Sequence, residues 1–133
     1  MDRLRHASRF NYLWLPVLFY AAFIFFLSSF SFHFSLFQKV EKNHVDRVVH
    51  VVEYSVFGFL VARALSRHSP FWGSARRLWM AALLIGLLYG ASDEYHQNFV
   101  PYRDASVFDW VADAAGTALG AWVWIKKQAR LYA

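Results

Sequence analysis

The sequence predicts an all-α, polytopic membrane protein. It forms four transmembrane helices in a small bundle, with both termini cytoplasmic and one domain spanning residues 1–133. Three observations lead there. First, charge is confined to particular stretches. No Asp, Glu, Lys or Arg occurs over 10–38, residues 48–62 contain only Glu53, residues 78–92 contain none, and residues 110–125 contain only Asp113. A bilayer core of roughly 30 Å takes about 20 helical residues. The first run meets that outright, and the other three meet it with their polar ends at the membrane surface. Second, the chain is 58% hydrophobic and 20% aromatic. A soluble bundle would leave the first run, apolar on every side, with nowhere to hide its outer face. Third, the charges segregate by side. In the four-span reading, ten of the 14 Lys and Arg share one side with both termini, and eight of the nine acids lie on the other. Basic loops stay in the cytoplasm, so the acidic end faces outward. The net charge of +5 therefore reports orientation rather than nucleic-acid binding. Five of the six tryptophans (Trp14, Trp72, Trp79, Trp122 and Trp124) fall near the inner helix ends, as an interfacial belt should. With no cysteine, disulfide and thiol chemistry are excluded.

The first helix is expected over about 12–32, after a basic tail carrying Arg3, Arg5, His6 and Arg9. Its uncharged stretch is too long for a signal-peptide core and has no small-residue cleavage site, so it reads as a retained span. Pro16 sits near its expected start, where proline is tolerated. Ser28, Ser29 and Ser31 come late, and the helix reads as a lipid-facing anchor. The second helix is expected over about 44–65, with Asn43 as N-cap. Asp46, His50 and Glu53 share one face of its first turns, and Gly58 admits a close neighbour. A basic loop broken by Ser69, Pro70, Gly73 and Ser74 leads to the third helix, about 78–95. There Ala82, Gly86, Gly90 and Asp93 form one stripe. Ser106 and Asp109 have capping-box spacing and open the fourth helix, about 106–125. Its Asp109, Asp113, Gly116 and Gly120 repeat the design of acids above glycines. The third and fourth helices are therefore expected to pack through their glycine stripes, with the first helix peripheral.

Residues 92–113, SDEYHQNFVPYRDASVFDWVAD, hold five of the nine acidic residues. Polar groups this dense beside apolar segments are costly. With the second helix they define the candidate site. Glu53, Asp93, His96, Asp113 and His50 are the expected catalytic residues. Arg103, Gln97, Asp109 and Glu94 are expected to bind substrate. Carboxylates clustered with histidine can bind a divalent metal, and the expected ligands are Glu53, Asp93, His96 and Asp113. The same cluster can instead shift a carboxylate's affinity for protons and so supply a general acid or base. Arg103 can grip a phosphate or carboxylate. A purely structural account competes at each position. Asp46 and Asp109 stabilise helix N-termini, and Glu53 with His50 and Arg103 with Asp109 would pair only to let the bundle close. That account is preferred for Asp46, Glu94 and Asp104. His33, His44 and His68 read as interface residues. For Glu53, Asp93, His96 and Asp113 function is preferred, because an apolar residue there would cost less, and the four are expected to act as a unit.

Two segments carry a family resemblance: DRVVHVVEYSVFGFL (46–60) and SDEYHQNFVPYRDASVFDWVADAAGTALG (92–120). They resemble the VanZ-like family of bacterial membrane proteins. The match runs through Asp46, His50, Glu53, Tyr54 and Gly58. It continues through Ser92, Asp93, Glu94, His96, Gln97, Phe99, Val100, Pro101 and Arg103, then Asp109, Asp113 and Gly116. Tyr102 departs from the pattern, standing where glycine is frequent. The family is named after a teicoplanin-resistance protein. The resemblance implies a bacterial inner-membrane protein acting on the cell envelope; it links the family's namesake to glycopeptide resistance and does not imply teicoplanin resistance for every member.

Two functions are carried forward. One is an enzyme, a hydrolase or transferase, acting on an envelope lipid or lipid-linked cell-wall precursor at the outer leaflet, by metal-assisted or acid–base chemistry. The other is a non-enzymatic membrane protein that binds or shields an envelope lipid or an amphiphilic antibiotic. The mix of histidine with several acids, more than binding needs, favours the first. An ion carrier is disfavoured because the inner halves of the third and fourth helices offer no polar path. Membrane lipids are the expected surroundings and nucleic acid is not an expected partner.

Overall fold

The computed structural model describes the backbone of residues 2–30, 42–67 and 73–131, and side chains from residue 12, from residue 45 and from residue 73 within those segments. It is all-α, with no strand among the described residues. The elements are α1 (Asp2–Ser28), α2 (Lys42–Leu65), α3 (Ala75–Gln97) and α4 (Val107–Leu131). By length and composition, the Val45–Leu65 part of α2 is the one described helix apolar enough to cross a membrane. Among the described residues the apolar stretch of α1, Tyr12–Ser28, is shorter. Arginines at one end of α3 and acids at the other dilute its apolar run, as Asp109, Asp113 and the terminal lysines do in α4.

The helix limits differ instructively from expectation. α1 begins at Asp2, well before residue 12, and Pro16 lies inside it. Apolarity marks a span, not a helix. Leu4, Arg5, Ala7 and Arg9 are good helix formers, and a nucleated helix extends through them cheaply. Pro16 has no N–H to donate to the Tyr12 carbonyl, and the helix tolerates that loss. α2 begins at Lys42, so Asn43 lies within it rather than capping it. The first turn of a helix has few bonds to hold its limit to one residue. His33 and His68, and the side chain of His44, lie outside the described residues. At α3 the cap is Ser74, whose Oγ accepts the Arg77 N–H at 3.3 Å.

Helix packing corrects the expected pairing of glycine stripes. α2 and α4 make the closest pair. Gly58 of α2 lies against the Thr117 backbone of α4, and Gly116 and Gly120 of α4 lie against the backbone of α2 at Val51, Ser55 and Phe59. The α3 stripe does meet α4, but through side chains: Gly86 faces Thr117, and Gly90 faces Asp113. Thus α4 turns its glycines to α2 and its threonine side chain to α3, while Asp113 lies between Gly90 of α3 and His50 of α2. Helix α4 can do this because it contacts two neighbours through adjacent stripes about 100° apart. Two indole N–H groups tie α3 to α4, Trp79 to the Ala118 carbonyl at 3.1 Å and Trp110 to the Leu87 carbonyl at 2.9 Å.

Tyr54, Phe57, Val61, Ile24, Ala82 and Trp124 lie in the apolar core between the helices. The outer faces are apolar too: Leu18, Phe19 and Phe26 on α1, Val48, Val52 and Val56 on α2, Leu84 and Leu88 on α3, and Val111, Leu119 and Val123 on α4. The bundle has polar side chains buried and apolar ones exposed along all four helices.

Candidate functional site

Three helices bring the site together. α2 presents His50, α3 presents Glu94 near its C-terminal end, and α4 presents Asp113 near its N-terminal end. Their relative exposures are 4%, 6% and 0%. His50 Nδ1 lies 2.8 Å from Asp113 Oδ1. A carboxylate only accepts, so the ring N–H donates. One carboxylate oxygen each from Glu94 and Asp113 and a ring nitrogen of His50 lie within 4.8 Å of one another. Gly90 makes room, since a Cβ there would sit 2.9 Å from Asp113 Oδ2. Counted along the helices, the trio lies roughly 5–12 Å below the acidic end of the bundle.

Glu94 has a second task. Its Oε2 accepts the Ser106 N–H at 2.6 Å, while Ser106 Oγ accepts the Asp109 N–H at 3.3 Å. The expected cap is therefore present, but its returning carboxylate comes from α3 rather than from Asp109. That fixes the end of α3 against the start of α4 and aims Glu94 inward. Several buried polar atoms have no hydrogen-bond partner among the described residues: Glu94 Oε1, Asp113 Oδ2, Asp93 Oδ1, Tyr54 Oη and Thr117 Oγ1. Leaving such groups unpaired is expensive, and two of them, Glu94 Oε1 and Asp113 Oδ2, belong to carboxylates of the same buried trio.

A second polar group lies beside α1. Asp93 Oδ2 accepts from Ser28 Oγ at 2.8 Å and from Gln97 Nε2 at 3.2 Å. Arg103 Nη1 donates to the Ser28 carbonyl at 3.2 Å, and its Nη2 lies 3.8 Å from Asp46. His96 Nε2 is 3.1 Å from Ser29 Oγ, and its ring stacks on Phe25 at 4.2 Å between centroids. The end of α1 is thus part of the polar assembly, not a peripheral anchor. Ser28 was hidden in the sequence because a serine closing an apolar run looks like an interface residue. The one available signal was that serines late in a span can hydrogen-bond across helices.

The remaining expected residues fall as follows. Glu53 is half-buried in the electrostatic field of His50, Asp93, Arg103 and Asp46, and no hydrogen bond or ion pair holds it among the described residues. Arg47, not Arg103, lies nearest Asp109, at 3.9 Å, and it also covers the Phe108 ring. His50 pairs with Asp113 rather than Glu53. Asp104 is exposed. Of the four residues expected to ligate a metal, only Asp113 belongs to the compact trio. Asp93 and His96 face α1 instead, because successive residues of α3 point about 100° apart. Tyr102 has φ of 64°, a left-handed conformation that glycine adopts without strain.

Comparison with known proteins agrees with the motifs. A family model described as VanZ/LLP1 matches residues 3–129. No curated protein and no solved structure matches the chain.

Proposed function

The chain belongs to the VanZ/LLP1 family, and from that premise we propose a membrane enzyme, a hydrolase or transferase, acting on the headgroup of an envelope lipid or lipid-linked cell-wall precursor. One observation carries the proposal: a carboxylate-held imidazole, His50 with Asp113, buried beside a second carboxylate, Glu94, just below one end of an apolar bundle. Such a pair can take a proton from an attacking hydroxyl group and return it to a leaving group. Arg103 stands nearer the end of the bundle, where it can receive an anionic headgroup. A substrate with an apolar tail reaches this site from the membrane while its headgroup enters from the surface.

The proposal includes four spans with both termini in the cytoplasm of a bacterial inner membrane. Support comes from the apolar outer faces of all four helices and from charge segregated to opposite ends. The acidic end carries Asp93, Glu94, Asp109 and Asp113, and the basic end carries Arg63, Arg76, Arg77, Lys126 and Arg130. The chain has no native cysteine, so single cysteines report cleanly. In intact cells Asp104→Cys is expected to react with a membrane-impermeant thiol reagent and Ala75→Cys is not; the opposite pattern reverses the orientation.

Activity is tested by profiling envelope lipids and cell-wall precursors in a deletion strain. At least one lipid-linked species is expected to accumulate, to clear when the wild-type gene is restored, and to persist with His50→Ala. If the His50→Ala gene clears it as well, the centre is not a reaction site and the protein is a binder.

A further inference from the structure

We propose that His50, Glu94 and Asp113 form the binding site of a single first-row divalent cation, of which Zn²⁺ is the best match. The residues come from three helices, and their ligand atoms lie within 4.8 Å of one another. Donors on one tetrahedral ion with bonds of about 2.1 Å stand about 3.4 Å apart, so the site closes on an ion by side-chain movements of roughly 1 Å.

Three further observations point to a cation rather than to a self-sufficient polar cluster. Glu94 Oε1 and Asp113 Oδ2 are buried without hydrogen-bond partners among the described residues, an arrangement that leaves lone pairs free for a ligand. The negative charge is also under-compensated. His50 can balance one of the two carboxylates. The neighbouring arginines are turned elsewhere, Arg47 to Asp109 and Arg103 to Asp46, and no Lys or Arg pairs with Glu94 or Asp113 among the described residues. A divalent ion removes that deficit, which is severe for buried charge. Finally, the free oxygen of Glu94 is held in place by its other half, since Glu94 Oε2 accepts the Ser106 N–H. Gly90 leaves Asp113 Oδ2 uncovered on the α3 side. Carboxylates oriented this way are a general feature of metal sites.

The donor set selects the ion. One imidazole and two carboxylates suit a first-row transition metal. They offer too few oxygens for Ca²⁺, which takes six to eight. Three protein ligands leave a position open, as catalytic sites do. The role of the ion in turnover rests on the enzyme reading above; its binding does not.

The test uses the full chain purified in detergent, stripped with chelator and titrated separately with Zn²⁺, Mn²⁺ and Ca²⁺. Calorimetry gives affinity, elemental analysis gives stoichiometry, and thermal unfolding gives a readout independent of activity. Wild type is expected to bind one Zn²⁺ per chain, to bind Mn²⁺ more weakly, and to gain thermal stability from either. Glu94→Gln and Asp113→Asn, which preserve shape, are each expected to lose at least 100-fold in Zn²⁺ affinity and the stability gain. Asp104→Asn, at an exposed carboxylate of the same end, is expected to keep both. Far-UV circular dichroism and gel filtration establish that the variants are folded, and His50→Ala provides a third route if one is not. Wild type without bound Zn²⁺ or Mn²⁺, or with Zn²⁺ affinity unchanged in Glu94→Gln, overturns the site. If no ion binds but His50→Ala still fails to clear the lipid species, the enzyme reading stands and the ion is dropped. If the ion binds and His50→Ala clears the species, the ion is structural and the enzyme reading is dropped.

Discussion

Asp113→Asn is expected to lower turnover of the lipid species by on the order of 10³-fold while leaving a folded protein in the membrane. Asp113 is fully buried and meets His50 Nδ1 at 2.8 Å. Asparagine fills the same volume and leaves an oxygen that can still accept that hydrogen bond. What it removes is the negative charge that holds and stabilises a protonated imidazole, or that ligates a cation. Loss of a positioned acid–base group costs about 10²- to 10⁴-fold, and loss of the charge behind a catalytic histidine falls at the upper end. His50→Ala is expected to do equal damage. The double variant is expected to be little worse than either single one, because members of one catalytic unit are not additive. A structural role makes a different pattern. Breaking a buried ion pair then costs about 3–5 kcal/mol, and turnover falls only in proportion to folded protein. Membrane content by immunoblot and turnover per folded molecule separate the two. A folded, fully active Asp113→Asn protein removes α4 from the site.

The same experiment extends to the second polar group. Asp93 bonds Ser28 and Gln97 rather than His50, so the expected quartet of Glu53, Asp93, His96 and Asp113 is divided between two adjoining assemblies. If these work as one unit, Asp93→Asn added to Asp113→Asn changes nothing further. If Asp93 only secures α1, the two losses add.

The helices themselves were legible because apolar runs between charged clusters admit little else. Their neighbours were not. A glycine stripe states that something packs closely but not which helix does so, and Gly116 and Gly120 proved to face α2. Burial of the α3 stripe through Gly86, Gly90 and Asp93 was legible from its period. The burial of Glu94 was not legible, because it lies off that stripe. Only the position of α3 between α1 and α4 buries both neighbours, sending Asp93 to Ser28 and Glu94 to Ser106. His50 and Asp113 were each legible as costly residues in an apolar helix, but their pairing depends on the α2–α4 register, which the glycines set.

That register makes Gly120 the position of greatest expected effect on stability. A Cβ at Gly120 would fall on the Ser55 carbonyl oxygen and lie 2.7 Å from the Phe59 nitrogen. Both are helix backbone and cannot rotate aside, so α2 and α4 must separate or slide. Overpacking of this kind costs about 1–3 kcal/mol for one methyl group and more for a larger side chain. Separation would also move Asp113 away from His50, two turns further up α4, and so couple packing to the site. Gly120→Ala is expected to lower the thermal unfolding temperature in detergent clearly, and Gly120→Val is expected to prevent folding. Gly86→Ala meets the Thr117 side chain rather than backbone, which can yield in part, so its loss is expected to be smaller. Ala115→Leu, on the exposed side of the same helix, is expected to stay within about 0.5 kcal/mol of wild type. Unfolding followed by circular dichroism ranks the four. A Gly120→Ala protein as stable as Ala115→Leu means that α2 and α4 do not touch through their backbones, and the His50–Asp113 pairing then loses its scaffold.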